Sequence, residues 1–261
     1  MFRTLLPVAL LALALAACAQ APARGQAPLA WDATRQMVVV TTAEWDSVHG
    51  TLRRYARDDA GAWRPVGDAQ PIVVGRGGSG WGLGLNPAPA PAVALGDPIK
   101  REGDGRAPAG VFAIGTAFGY TGRADTAMPY QALDADDWCM DVSGSPLYNR
   151  IVDAREVGDA AVRGSTEPMR RDLHADGDQR YRLGFVIEHN PAAVPNAGSC
   201  IFAHLWKTPG TATAGCTAMA PATMDAVLAW LDPALHPVFV LLPAGEYAAL
   251  QADWRLPELA R

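Results

Sequence analysis

Two residues near the C-terminal end have the types and spacing for nucleophilic catalysis. His204 closes the run Gly198-Ser199-Cys200-Ile201-Phe202-Ala203-His204, and Cys216 follows twelve positions later in Thr213-Ala214-Gly215-Cys216-Thr217-Ala218-Met219. A thiol attacks a carbonyl as its thiolate, and an imidazole within hydrogen-bond reach is the usual means of generating thiolate near neutral pH. The expected chemistry is acyl transfer, with His204 taking the Cys216 proton and the sulfur forming a thioester. The backbone N–H groups of Gly215 and Cys216 are the expected oxyanion donors, since glycine permits a tight turn and a nearby helix N-terminus favours negative charge. Thr213, Ser199 and Trp206 are the expected supports for the ring or the substrate. The blander readings are a buried, inert cysteine and a tryptophan that is simply core.

The remaining polar candidates read differently. His189, in Glu188-His189-Asn190, sits in a strand pattern and is expected to be structural; His49, His174 and His236 are expected to be solvated or capping residues. Asp104 and Asn190 suit turns. A zinc site would have to draw on His174, Asp176, Asp178, His189 and His204, whose spacing fits no familiar ligand pattern, so no metal and no cofactor is expected. Gly75-Arg76-Gly77-Gly78-Ser79-Gly80 matches a dinucleotide fingerprint literally, but Trp81-Gly82-Leu83-Gly84 follows where a helix should begin. A flexible glycine loop is the expectation there.

The elements that must position His204 and Cys216 are mostly strands. Alternation and β-branched content place strands at 37–42, 51–57, 62–66, 71–75, through about 115 after the Lys100–Gly110 loop, and at 129–133, 138–142, 182–190 and 236–242. Asp58-Asp59-Ala60-Gly61 reads as a hairpin tip. Leu205 to Ala212 starts apolar and then meets Pro209-Gly210, so His204 stands at a strand end before a loop that can fold back. Met224, Val227, Leu228 and Leu231 recur at helical spacing behind Pro221, which predicts a helix over 221–231. The fold class expected is mainly β with a few short helices.

Met1-Phe2-Arg3 followed by the apolar run Leu5 to Ala17 reads as a signal peptide over 1–17. Thirteen residues rise about 20 Å as a helix, short of a bilayer core of about 30 Å. Leu15-Ala16-Ala17-Cys18 resembles a lipobox, making Cys18 a lipidation site and tying the protein to the membrane of the bacterial envelope; cleavage at an Ala-x-Ala-like site is the alternative. Residues 18–30 are an Ala/Pro-rich spacer and 31–261 one domain. The formal net charge of −5 and the absence of any basic cluster longer than Arg170-Arg171 argue against nucleic acid as a partner. Beyond Cys18 and Cys216, Cys139 and Cys200 are left; in an oxidising compartment they can pair, or stay as two buried thiols.

Taken together, His204, the Thr-Ala-Gly-Cys segment at 213–216, the Gly103–Gly110 loop and Tyr181–Asn190 ahead of Gly198-Ser199-Cys200 resemble the L,D-transpeptidase catalytic-domain (YkuD) family. The likeness is closest to a periplasmic branch with GSCIF-x-H and T-x-GC motifs, and runs from about Val38 to Pro243. It implies an L,D-transpeptidase-like β-sandwich or barrel in the periplasm, acting on peptidoglycan stem peptides with Cys216 as nucleophile and His204 as general base. An L,D-carboxypeptidase or amidase hydrolysing the same linkage is the alternative; a zinc peptidoglycan peptidase and a non-catalytic wall-binding lipoprotein are the more distant ones. The sequence departs from the family pattern at Leu205, where glycine is usual, at Ala214, which replaces a histidine, and at Ala218, where an arginine usually stands. Arg101, Arg106, Arg170 and Arg171 are the candidates for the carboxylate clamp that this arginine would supply.

Overall fold

A computed structural model describes residues 27–86 and 96–259. The signal peptide, Cys18 and the first part of the spacer fall outside those residues. The strands are β1 (Gln36–Thr42), β2 (His49–Arg57), β3 (Trp63–Pro65), β4 (Gln70–Val73), β5 (Ser79–Trp81), β6 (Ala107–Gly119), β7 (Tyr130–Ala132), β8 (Asp137–Cys139), β9 (Ile151–Asp153), β10 (Glu167–Pro168), β11 (Leu183–Ile187), β12 (Phe202–Leu205), β13 (Thr217–Met219) and β14 (Val238–Pro243). Five helices accompany them: α1 (Ala154–Val157), α2 (Asp159–Val162), α3 (Arg171–His174), α4 (Pro221–Trp230) and α5 (Ala244–Leu250). The chain is therefore mainly β, as its composition and periodicity predict.

Eight strands close on themselves in the order β1-β14-β6-β11-β12-β13-β4-β2, with β2 pairing back to β1. Closure removes the free edges that an open sheet would expose. β1 pairs in parallel with β14, and every residue of both strands is buried. Their near-continuous apolar sequences, Met37-Val38-Val39-Val40 and Val238-Phe239-Val240-Leu241-Leu242, suit strands covered on both faces. Each such side chain contributes roughly 1.5–3 kcal/mol relative to exposure. Pro221 opens α4, and Met224, Val227 and Leu228 are buried against the same core.

A second sheet, β10-β8-β9, lies outside the barrel. Its contacts fall in a separate apolar cluster that contains Phe118, Leu133, Cys139, Met169, Tyr181, Cys200, Phe202 and Cys216. Alternation explains why β12 serves both clusters: Ala203 and Leu205 face the main core, while Phe202 points to the other side. Cys139 on β8 is joined to Cys200 by a disulfide, Cα–Cα 5.9 Å, which ties this small sheet to the segment entering β12. Among the described residues no helix is long and apolar enough to cross a membrane.

The glycine run at 75–80 is not a flexible loop. Its last two residues, Ser79 and Gly80, open the strand β5, and the glycines permit close packing: a Cβ on Gly75 would lie 2.2 Å from the Gly105 carbonyl oxygen, and one on Gly78 2.0 Å from the Trp45 carbonyl oxygen. Asp104 accepts from Lys100 Nζ, Arg101 N and Arg106 N, and so shapes the turn that packs there.

Candidate functional site

β12 and β13 run in parallel with Ala203 opposite Thr217 and His204 opposite Ala218, so the thiol just before β13 comes beside Phe202. Cys216 Sγ accepts a hydrogen bond from Phe202 N at 3.3 Å and donates to the Cys200 carbonyl at 3.5 Å. Cys216 is buried and is the free cysteine among the described residues. His204 lines the same cleft, which measures about 420 Å³. Its Nδ1 lies 2.7 Å from the Leu205 carbonyl oxygen. A carbonyl only accepts, so Nδ1 carries the proton and Nε2 is left as the basic nitrogen. Tyr181 packs edge-on against the imidazole, ring centroids 5.2 Å apart.

The pair does not rest as thiolate and imidazolium. Burial pushes the Cys216 thiol up to about 12, with the Glu167 carboxylate adding to the effect and the Phe202 N–H opposing it. Burial pushes His204 down to about 4. No hydrogen bond joins Sγ to the imidazole, contrary to the sequence expectation that the ring holds the sulfur as thiolate. With the thiol pushed up and the imidazole pushed down, both groups are neutral at pH 7.

The turn before Cys216 is organised by Thr213. Its Oγ1 donates to the Cys216 carbonyl at 2.6 Å and accepts from Gly215 N at 3.1 Å. Gly215 has φ 156°, and a Cβ there would stand 3.0 Å from the Arg106 carbonyl oxygen. The Gly215 N–H, expected to face an oxyanion, is thus used inside the turn; the Cys216 N–H is the donor of that pair which remains. α4 starts at Pro221, as the helical spacing predicts, but β13 stands between it and the thiol. Its dipole therefore does not act at Cys216, since the effect fades within the first turn.

Ser199 lines the main cleft and Trp206 lies beside it. The Ser199 Oγ donates to Glu102 Oε2 at 2.7 Å, alongside the hydroxyl of Tyr148. Trp206 lies outside the main cleft, in a small neighbouring pocket that also touches His204, Arg180 and Thr213. His189 is buried but lies just past the end of β11, not inside a strand as its sequence context predicts. Its Nδ1 accepts from Leu83 N at 3.2 Å and its Nε2 faces the Ala197 carbonyl at 2.9 Å. Asn190 holds the following loop through Val194 and Gly198. Asn149 joins these segments by donating to the His189 and Asn190 carbonyls and accepting from Cys200 N.

The candidate zinc ligands do not assemble. Asp178 is held by Arg171 and Arg180, and the one carboxylate group dense enough for a cation among the described residues is Asp134, Asp137 and Asp153. Of the four arginines considered as a carboxylate clamp, only Arg171 lines the cleft. Arg106 instead binds Asp46, and Arg170 binds Asp172. Glu167 and Arg180 line the cleft without any motif having marked them, and Arg76 and Tyr181 line it from segments quoted for other reasons.

No family model, curated protein or solved structure matches the chain. The functional reading therefore rests on the residues themselves.

Proposed function

We propose that the protein is a peptidoglycan-modifying cysteine acyltransferase of the L,D-transpeptidase type, and that its eight-stranded barrel is a variant of that family's fold. The observation that carries this reading is the His204 tautomer. With Nδ1 engaged by Leu205, the unprotonated Nε2 is the available base in the cleft that holds the free cysteine. On binding of a tetrapeptide stem, Cys216 Sγ forms a bond to the scissile carbonyl carbon as its proton passes to Nε2. The Cys216 N–H supports the developing oxyanion. The amide C–N bond then breaks, His204 returns the proton to the departing D-alanine amine, and a thioester remains. An amine acceptor gives a cross-link; water gives an L,D-carboxypeptidase.

The charged walls of the cleft suit a polar peptide better than an apolar ligand. The place of action proposed is the periplasm, with the chain anchored by a lipid on Cys18. Incubating the soluble domain with peptidoglycan tetrapeptide fragments and weighing the products tests the activity. Cross-linked dimers or stems shortened by alanine are the expected masses, and unchanged fragments would contradict the proposal.

A further inference from the structure

Seven charged side chains besides His204 line the cleft, and the partners of each decide which remain available to a substrate. Lys100 is satisfied by Asp104 and the Arg101 carbonyl. Arg171 binds Glu167 and Asp178, and Arg180 binds Asp178. Asp141 accepts from the N–H and hydroxyl of Thr166. Two groups are left over.

Arg76 is exposed, and its guanidinium has no hydrogen-bond or ion-pair partner among the described residues. It is nonetheless well placed. Its backbone N–H donates to the Thr213 carbonyl at 2.9 Å, which fastens it to the turn carrying Cys216. Its side chain lies across Gly105, whose missing Cβ would stand 3.0–3.1 Å from Arg76 Cγ, Cζ and Nε. Glu102 is the second group. Tyr148 and Ser199 both donate to its Oε2, which fixes the carboxylate while Oε1 takes no hydrogen bond among the described residues.

We propose that Arg76 and Glu102 are the specificity-determining residues of the cleft, Arg76 reading an anionic group and Glu102 a cationic group of the substrate. This rests on the reading of Cys216 as the nucleophile. A guanidinium binds carboxylate through a planar fork, and a carboxylate fixed at one oxygen presents the other to a cation without further ordering.

The test needs no turnover. Methanethiosulfonates transfer a thioalkyl group to a thiolate, forming a mixed disulfide and releasing methanesulfinate, and are available with a sulfonatoethyl, a trimethylammonioethyl or a neutral methyl group. Rates of Cys216 modification at pH 9 are measured in the full chain, each charged reagent against the neutral one. Arg76→Gln is expected to lower the anionic-to-neutral ratio about fivefold or more, and Arg76→Lys to restore most of it. Glu102→Gln is expected to lower the cationic-to-neutral ratio by a similar factor while leaving the anionic one undiminished. Ratios unchanged in both glutamine variants would overturn the proposal. Shifted ratios in a protein that leaves peptidoglycan fragments intact would keep the charge clamp and remove the transpeptidase reading.

Discussion

At the scale of single residues, the resting state of Cys216 and His204 sets what kinetics should show. His204 must be neutral to accept the thiol proton, and burial lowers its pKa to about 4. The acid limb of kcat/KM should therefore fall near pH 4, not near the ordinary histidine value of about 6.5. An acid limb at pH 6 to 7 would show that the ring is far more exposed than the fold makes it. His204→Gln should lower kcat by about a hundredfold or more with little change in melting temperature. His189 makes the contrasting case, because it is also pushed down to about 4 but hydrogen-bonds to backbone, with its ring edge-on to Phe112. Between pH 6.5 and 4 the unfolded chain takes up a proton that the folded His189 refuses. The stability it contributes is thus complete above 6.5 and is lost as pH falls toward 4. Wild type should lose about 3 kcal/mol more than His189→Gln over that window, read from denaturant titrations at each pH. Parallel curves would refute the assignment.

At the scale of elements, the Thr213–Cys216 turn determines where the sulfur sits. Thr213→Val removes a donor and an acceptor in one step and should cost about 1–3 kcal/mol, with activity falling by a larger factor than stability predicts, while Thr213→Ser retains both hydrogen bonds. Gly215→Ala meets a positive φ and a backbone oxygen at 3.0 Å, so it should lower the melting temperature and displace the thiol together. Long elements were readable from sequence because period and burial agree: β1 is buried throughout and apolar over Met37–Val40, the β2–β3 hairpin announces itself by Asp58–Gly61, and α4 carries Met224, Val227 and Leu228 on one face. β13 was not readable. Three residues, Thr217-Ala218-Met219, are too few to show a period, and they separate the thiol from the helix that the sequence correctly starts at Pro221.

At the scale of the whole molecule, the cleft is made by bringing the β10-β8-β9 sheet against the outside of the barrel. Glu167 reaches the site on β10, paired with Cys139, and Cys139 is bonded to Cys200 just ahead of β12. Those links span 61 residues of sequence, which is why Cys216 and His204 were legible as a motif while Glu167 and Arg180 were not. Local spacing reports neighbours along the chain, whereas these residues meet only through tertiary structure. Opening the disulfide by Cys139→Ala should cost about 2–4 kcal/mol of stability, seen in a denaturant titration, and should lower activity in the surviving folded fraction by loosening this wall. An unchanged turnover in that fraction would separate the small sheet from the site. The most direct measurement is the mass of the protein itself during reaction with a tetrapeptide stem, followed by peptide mapping. A stem-derived thioester on Cys216 that builds up in the wild type with acceptor withheld, forms far more slowly in His204→Gln, and is absent from Cys216→Ser, is the predicted result. Product formation by Cys216→Ser at the wild-type rate, or an acyl group carried on any other residue, would contradict the account.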